Sequence, residues 1–255
     1  MIIKNPIPIL EYDDKSLEVI APNHTAPDLI LPKKCVFPFL AEKVDEFAAS
    51  HNAKIITIFK TITMDFPVYS VNVNGEDICL ARAPLGASAA GQFLDFLIGC
   101  GCKTIITTGS CGVLKDIREN AFLLPVKALR DEGTSYKYLP AERYVELNPV
   151  ALDAIRTTFR ELNLPLEDVT TWTTDGFFRE TKDIVEYRKN EGCTVVDMEC
   201  AALTAIAKKR GATFGQFLYT ADSLANADNY AERDWGEGSM ETALELCFKV
   251  LKHLD

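Results

Sequence analysis

"PLGASAAGQFLDFLIGCGCKTIITTGSCGVL", residues 84–114, decides how the chain is read. Ala87 to Gly99 is a run of small and apolar residues and predicts a helix. Lys103 to Thr108 ("KTIITT") predicts a buried strand that ends at Gly109. A helix feeding a buried strand, with a glycine turn beyond it, is the unit from which helix-covered sheets are built. The same alternation continues on both sides. Lys54 to Lys60 reads as a strand. Pro67 to Val73 and Asp77 to Ala83 flank Asn74-Gly75, a hairpin signal. Downstream, Ala121 to Leu129 reads as a strand and Asn148-Pro149 opens a helix to about Leu162. Val169 to Thr174 is a strand and Glu180 to Asn190 a helix. Thr194 to Val196 is a short strand before a helix from Glu199 to Arg210. Thr213 to Thr220 is a strand, and Glu237 to Leu254 closes the chain as a helix. The expectation is an α/β fold: one domain over residues 1–255, with a central mixed β-sheet flanked by helices.

Composition narrows the function. With 47% apolar and 25% charged residues, the chain has an ordinary globular balance. A formal net charge of −10 argues against a nucleic-acid partner, which needs clustered cations. A small anionic substrate needs only a local positive site and stays open. The N-terminus lacks a signal-peptide pattern, and no apolar run approaches the ~18 residues of a spanning helix. We expect a cytoplasmic protein with no membrane partner. The eight cysteines show no CxxC spacing and the three histidines are scattered, so buried reduced thiols and no metal are expected.

Polar clusters fall at the predicted strand ends: Gly109-Ser110, Asp175, Asp197 with Glu199, and Asp222. Ligands in such sheets sit beyond the carboxyl ends of strands, so these clusters could converge on one crevice. That favours an enzyme over a binding module. Gly109-Ser110 offers backbone N–H groups and a hydroxyl to an anion, or is a plain turn. Gly86 precedes a helix whose N-terminus could meet an anion, or it serves close packing. Two acids around a methionine in "TVVDMECAAL", residues 194–203, are costly to bury without polar partners. They either stabilise a helix start or hold a ligand.

Three segments together resemble the nucleoside phosphorylase/uridine phosphorylase superfamily: residues 84–114, then "ALRDEGTSYKYLPA" with "TTDGFFRE", and finally "VVDMECAAL" followed by "LYTADSLANAD". The resemblance implies cleavage of a nucleoside N-glycosidic bond, giving free base and (deoxy)ribose 1-phosphate. Phosphate is then a co-substrate and no cofactor is needed. It implies that Glu199 accepts hydrogen bonds from the ribose hydroxyls and that Met198 packs beside the sugar. Asp197 fills the first acid position of that motif. Asp222 falls where purine-type members carry the acid that protonates the departing base. Phe177 and Phe178 match aromatic residues flanking the base, with Arg179 beside them. Gly109, Ser110 and Gly86 would bind phosphate. A homo-oligomer, dimeric or hexameric, is implied as well.

One position departs from the pattern. The superfamily's phosphorylases usually place an arginine two residues before the glycine of the GS turn, where this chain has Thr107. The usual N-terminal phosphate-binding stretch is also not apparent in "APNHTAPDLILPKK". Arg82, Arg130 and Arg179 are the candidate replacements, with Arg82 preferred because it ends a predicted strand just before the glycine stretch. The hydrolytic branch, which cleaves methylthioadenosine-like nucleosides with water, likewise lacks that arginine. A nucleoside N-ribohydrolase is therefore the competing reading, and a non-catalytic nucleoside sensor the third. Asp222 leans toward purines, whereas "RDEGTSY" looks closer to uridine-type members.

Overall fold

The computed structural model describes residues 2–255. It contains ten strands and seven α-helices among the described residues. In chain order they are β1 (Lys34–Val36), α1 (Lys43–Ser50), β2 (Lys54–Lys60), β3 (Asp65–Val73), β4 (Glu76–Ala81), α2 (Ala87–Gly99), β5 (Thr104–Val113), β6 (Phe122–Asp131) and α3 (Ser135–Tyr138). Then follow β7 (Tyr144–Glu146), α4 (Pro149–Glu161), β8 (Glu167–Thr174), α5 (Lys182–Asn190), β9 (Val195–Asp197), α6 (Cys200–Arg210), β10 (Thr213–Ser223) and α7 (Met240–Val250). All the strands join one mixed sheet.

Strand residues alternate between two apolar layers, as the period of two requires. Cys35, Cys79, Ile105 and Phe214 point to a layer formed with Phe93 and Leu97 of α2 and Ile206 of α6. Val36, Leu80, Ile106 and Phe217 point the other way, against Val44 of α1, Ile155 of α4 and Phe248 of α7. Burying each such side chain stabilises by roughly 1.5–3 kcal/mol, so these layers fix which strand faces inward on each side. The expected thiols fit this picture: all eight cysteines are unpaired and buried.

The position of β5 places the site. Along one edge it pairs with β10, from Thr104 opposite Thr213 to Cys111 opposite Thr220. Along the other edge it changes neighbour. β1 pairs with Thr104 to Ile106, and Phe39 N–H extends that contact to Thr108 O. β9 takes over only at Gly112 and Val113, running antiparallel. Between them, Gly109 to Cys111 have no strand on that side. Because β10 also pairs with β6, strands β5, β10, β6, β8 and β9 close into a ring. The gap in β5's outer edge opens at the rim of that ring.

Several boundaries differ from the sequence expectation. β5 does not end at Gly109 but runs through the GSCG segment, because β10 supplies hydrogen-bond partners that override the glycines. β10 likewise extends to Ser223, which puts Asp222 inside the strand. α5 starts at Lys182 under a Thr181 cap, and Phe177–Arg179 form a single 3-10 turn before it. α6 starts at Cys200, with Glu199 as its N-cap residue. The last helix is α-helical only from Met240 to Val250, with 3-10 turns at both ends. β1, α1, α3 and β7 were not expected. The Asn148 cap is present: its side chain accepts from Val150 N–H and Ala151 N–H, with Pro149 in the first turn.

α4 lies close on β10 because Gly215 lacks a side chain. A Cβ there would sit 2.8 Å from Ala151 Cβ and 3.0 Å from Ile106 Cδ1. Gly215→Ala should therefore destabilise by about 1–3 kcal/mol, read as a lower denaturation midpoint. An unchanged midpoint would mean that α4 can shift at no cost.

Candidate active site

A cavity of about 550 Å³ opens at the break in β5's edge. Gly109, Ser110 and Gly112 of β5, Asp197, Met198 and Glu199 of the β9–α6 turn, Phe177 and Phe178, and Asp222 of β10 all line it. A second cavity of about 590 Å³ adjoins it and shares Phe177, Phe178, Glu180, Asp222 and Trp235. The segments picked out by sequence, 20 to 113 residues apart, thus converge on one place.

Asp197 organises the turn. Its Oδ1 accepts from the hydroxyls of Thr171 and Thr173, each at 2.8 Å. Its Oδ2 accepts from Glu199 N–H at 2.8 Å and Cys200 N–H at 2.6 Å. Burial pushes its pKa up and these bonds oppose the push. Four donors leave no place for a proton, so the group is an anion held by its surroundings. Asp197 therefore positions the turn rather than offering its oxygens to a ligand, a correction to its expected substrate-binding role.

Glu199 is held less completely. Its Oε1 accepts from Gly86 N–H at 2.6 Å, and the Met198 backbone N–H also donates to the carboxyl. Gly86, with φ of +95°, is the N-cap of α2, a conformation that favours glycine. So Gly86 gives its N–H to Glu199, and the start of α2 meets a carboxylate of the chain itself. Burial, then the neighbouring Asp197, pushes Glu199 up to about 8.

The glycines have specific neighbours. A Cβ at Gly109 would meet the Phe39 ring at 3.1–3.5 Å. One at Gly112 would fall 3.2 Å from Asp222 Oδ1 and 2.9 Å from Val196 Cγ1. Gly112 thus makes room for the Asp222 carboxyl. Asp222 is 5% exposed; burial raises its pKa, while a hydrogen bond with Tyr230 and the nearby Arg233 charge lower it. Ser110 between the two glycines is exposed to the cavity.

The expected cations do not arrive. Arg82 turns to Asp45, at 3.2 Å, and to the Met64 sulfur. Arg130 is buried and donates to Ser135 Oγ and to the Pro140 and Leu139 carbonyls. Arg179 is exposed beside Gly176 and does not line the cavity. Thr107 points away as well, donating to Phe37 O at 2.5 Å. Asp175, another polar residue at a predicted strand end, accepts from Gly133 N–H instead. The cavity lining holds four acids, Glu180, Asp197, Glu199 and Asp222, and no Lys or Arg among the described residues.

Phe178 is 94% exposed and Phe177 40%, with ring centroids 5.0 Å apart, edge to face. Core packing is excluded for them. Sequence reasoning missed Phe39, Leu85, Glu180, Gln216, Tyr230 and Trp235. Gln216 is 1% exposed and its Oε1 has no hydrogen-bond partner in the chain. Only Glu180 had a signal, since it directly follows the "TTDGFFR" segment. Away from this site, the thiols of Cys35, Cys79 and Cys102 lie within 4.8 Å of one another. Their surroundings are apolar and wholly buried, without a fourth ligand.

Solved structures with this fold include uridine phosphorylase from Vibrio fischeri (TM-score 0.73, 18% identity, 88% of this chain and 92% of that one). AMP nucleosidase from Bacteroides thetaiotaomicron is another (TM-score 0.71, 23% identity, 87% and 88%). The chain belongs to the phosphorylase superfamily, whose family model matches residues 33–254. It is 22% identical over 171 residues to the guanosine phosphorylase of Halorubrum lacusprofundi, covering 67% of this chain and 70% of that one. It is 27% identical over 158 residues to a DeoD-type purine nucleoside phosphorylase of Bacillus cereus, covering 59% and 65%.

Glu199 ties the site to stability. Its folded pKa of about 8 lies above the ordinary glutamate value of 4.5. The unfolded chain gives up that proton earlier, so this carboxyl costs stability increasingly as pH rises from about 4.5 to 8. Glu199→Gln should remove the cost while keeping an acceptor for Gly86 N–H. The Tm advantage of the variant should be near zero at pH 4.5 and reach at least ~2–4 °C at pH 8.5. A difference that stays flat with pH would mean that Glu199 ionises freely in the folded protein.

Proposed function

We propose that this chain cleaves the N-glycosidic bond of a purine nucleoside, with water as the attacking group. The observation that carries the reading is the pairing of Glu199 and Asp222 in one cavity, both buried, with the Met198 side of the β9–α6 turn beside them. Ribose hydroxyls would supply Glu199 with the donors that its burial denies it, drawing it into its ionised form. Exposed Phe178 and Phe177 offer ring faces to the base. Asp222, whose hold on a proton burial strengthens, would give a proton to the base nitrogen as the C1′–N bond breaks. The bonding pair goes to the base, the water oxygen forms the new bond to C1′, and the proton that the water sheds passes to a carboxylate of the lining.

The choice of water rests on charge. A phosphate dianion placed among four acids with no cation would meet repulsion rather than a clamp. Phosphorolysis is the second reading, favoured by the Ser110 hydroxyl and by the names of the curated relatives. A homo-oligomer in the cytoplasm accompanies either reading.

Base release from inosine, adenosine, uridine and methylthioadenosine, each with and without phosphate, separates the two. Equal rates without phosphate are expected, whereas strict phosphate dependence would establish phosphorolysis. Asp222→Asn should lower kcat for purine nucleosides by ~10²-fold or more, and for uridine far less. Equal losses would make Asp222 structural. Glu199→Ala should lower kcat/KM by ~10²-fold, and near-normal activity would remove Glu199 from the site.

A further inference from the structure

We propose that Cys35, Cys79 and Cys102 form a three-sulfur site for trivalent arsenic, taken up as arsenite, in the apolar layer between the sheet and α2. Their thiols lie within 4.8 Å of one another, and all three residues are wholly buried. None of them lines either cavity described above.

Three elements bring the sulfurs together. Cys35 on β1 and Cys79 on β4 are direct neighbours across parallel strands, so their side chains leave the sheet on the same face. Cys102 comes in from the turn between α2 and β5. Gly101, with φ of +120°, makes that turn, and a Cβ on it would fall 3.3 Å from Leu31 O. Cys102 N–H then donates to Leu97 O at 3.0 Å, and Lys103 N–H to Lys33 O at 2.7 Å. These bonds tie the turn to α2 and to the residue before β1. The thiol of Cys102 is hydrogen-bonded with both of the others. The sheet thus holds the ligand set before any ion arrives, and binding costs little in ordering.

Number and charge select the ion. Bonds to sulfur of about 2.3 Å, as in zinc thiolates, put three sulfurs around one ion at most about 4 Å apart. Sulfurs already within 4.8 Å reach that by small side-chain rotations. Zinc and iron–sulfur clusters ask for four ligands, and the group has three. A soft monovalent ion such as Cu(I) accepts three thiolates but leaves two net negative charges in an apolar layer. Lys103 is the charged group that acts on Cys102, and its side chain is exposed. Trivalent arsenic takes three sulfurs, its lone pair fills the remaining direction, and three thiolates cancel its charge. Arsenite, As(OH)3, exchanges three As–O bonds for three As–S bonds. Each thiol proton leaves with a hydroxyl as water, and no electrons change hands. The product is neutral, which suits a layer shared with Phe93, Leu97 and Ile105.

The test incubates the folded protein with sodium arsenite and a phosphine reductant, then reads native mass and arsenic X-ray absorption. Because the thiols are wholly buried, uptake waits on local opening, and the incubation runs over days. The wild type should gain one arsenic less three hydrogens per chain, with three sulfur neighbours on arsenic and no oxygen. Cys35→Ala and Cys79→Ala should each weaken retention by at least ~10²-fold, since losing one of three linked ligands removes its effective concentration. Cys100→Ala and Cys247→Ala should bind as the wild type does. Cys100 needs that control because it too is buried, two residues from Cys102. A wild type that takes up no arsenic overturns the site, as does arsenic held by two sulfurs and an oxygen, or retention that survives the loss of Cys35 or Cys79. If an alanine variant at those two positions fails to fold, the wild type and Cys100→Ala decide. Three sulfurs on arsenic in both support the site, and a sulfur lost in Cys100→Ala overturns it.

Discussion

The four hydrogen bonds to Asp197 are the constraint on which the site depends. A buried carboxylate without donors would cost several kcal/mol and would protonate instead. Here the donors come from two directions: threonine hydroxyls on β8 and the first N–H groups of α6. Thr173 Oγ1 also accepts from Ala201 N–H, which locks the helix start onto the strand. The anion therefore joins β8, β9 and α6 at one point. Glu199 is carried on that point and reaches Gly86, 113 residues earlier, at the start of α2. Two helices on the same face of the sheet are thereby referred to a single carboxylate.

The change of neighbour along β5 is what gives that point something to face. A strand with continuous partners on both edges would bury Gly109 and Ser110 in a ladder. β1 leaves after Thr108 and β9 joins at Gly112, so three residues keep one edge open. The glycines on either side admit Phe39 and the Asp222 carboxyl at distances a Cβ would crowd. Ser110 between them turns outward to the cavity. The motif reads as a loop in sequence because glycines usually end strands. In the fold it is strand, because β10 pairs with Gly109 to Cys111 on the other side and again with Val113.

Periodic segments were legible for this reason and irregular ones were not. The α2 helix, the Asn74-Gly75 hairpin and the capped α4 carry local signals that packing did not override. β1 is three residues long and sits among prolines and lysines, too short for any period to show. The acids of the site were legible as residue types, since carboxyls at strand ends are unusual. Their separate tasks were not. Whether Asp197 or Glu199 keeps oxygens for a ligand depends on Thr171, Thr173 and Gly86, which are distant in sequence. Arg82 illustrates the same limit: its place near the glycine stretch was readable, but the pull of Asp45 on α1 was not. Trp235 and Tyr230 lie in a segment without regular structure, where nothing local points inward.

The donors around each carboxyl order the four acids by how firmly they hold a charge. Asp197 has four and is settled as an anion. Asp222 has the Tyr230 hydroxyl and a nearby arginine, and Glu199 the backbone N–H groups of Gly86 and Met198. Glu180 has none. Four full charges in one small cavity would repel one another strongly, so burial and like charge push the less supported groups toward their protonated forms. An empty site is thus short of donors by design of its own lining. What fits is a neutral molecule rich in hydroxyl and N–H groups, with a basic nitrogen to take one proton. A nucleoside carries each of those groups, which is why the proposed reading pairs this lining with a nucleoside.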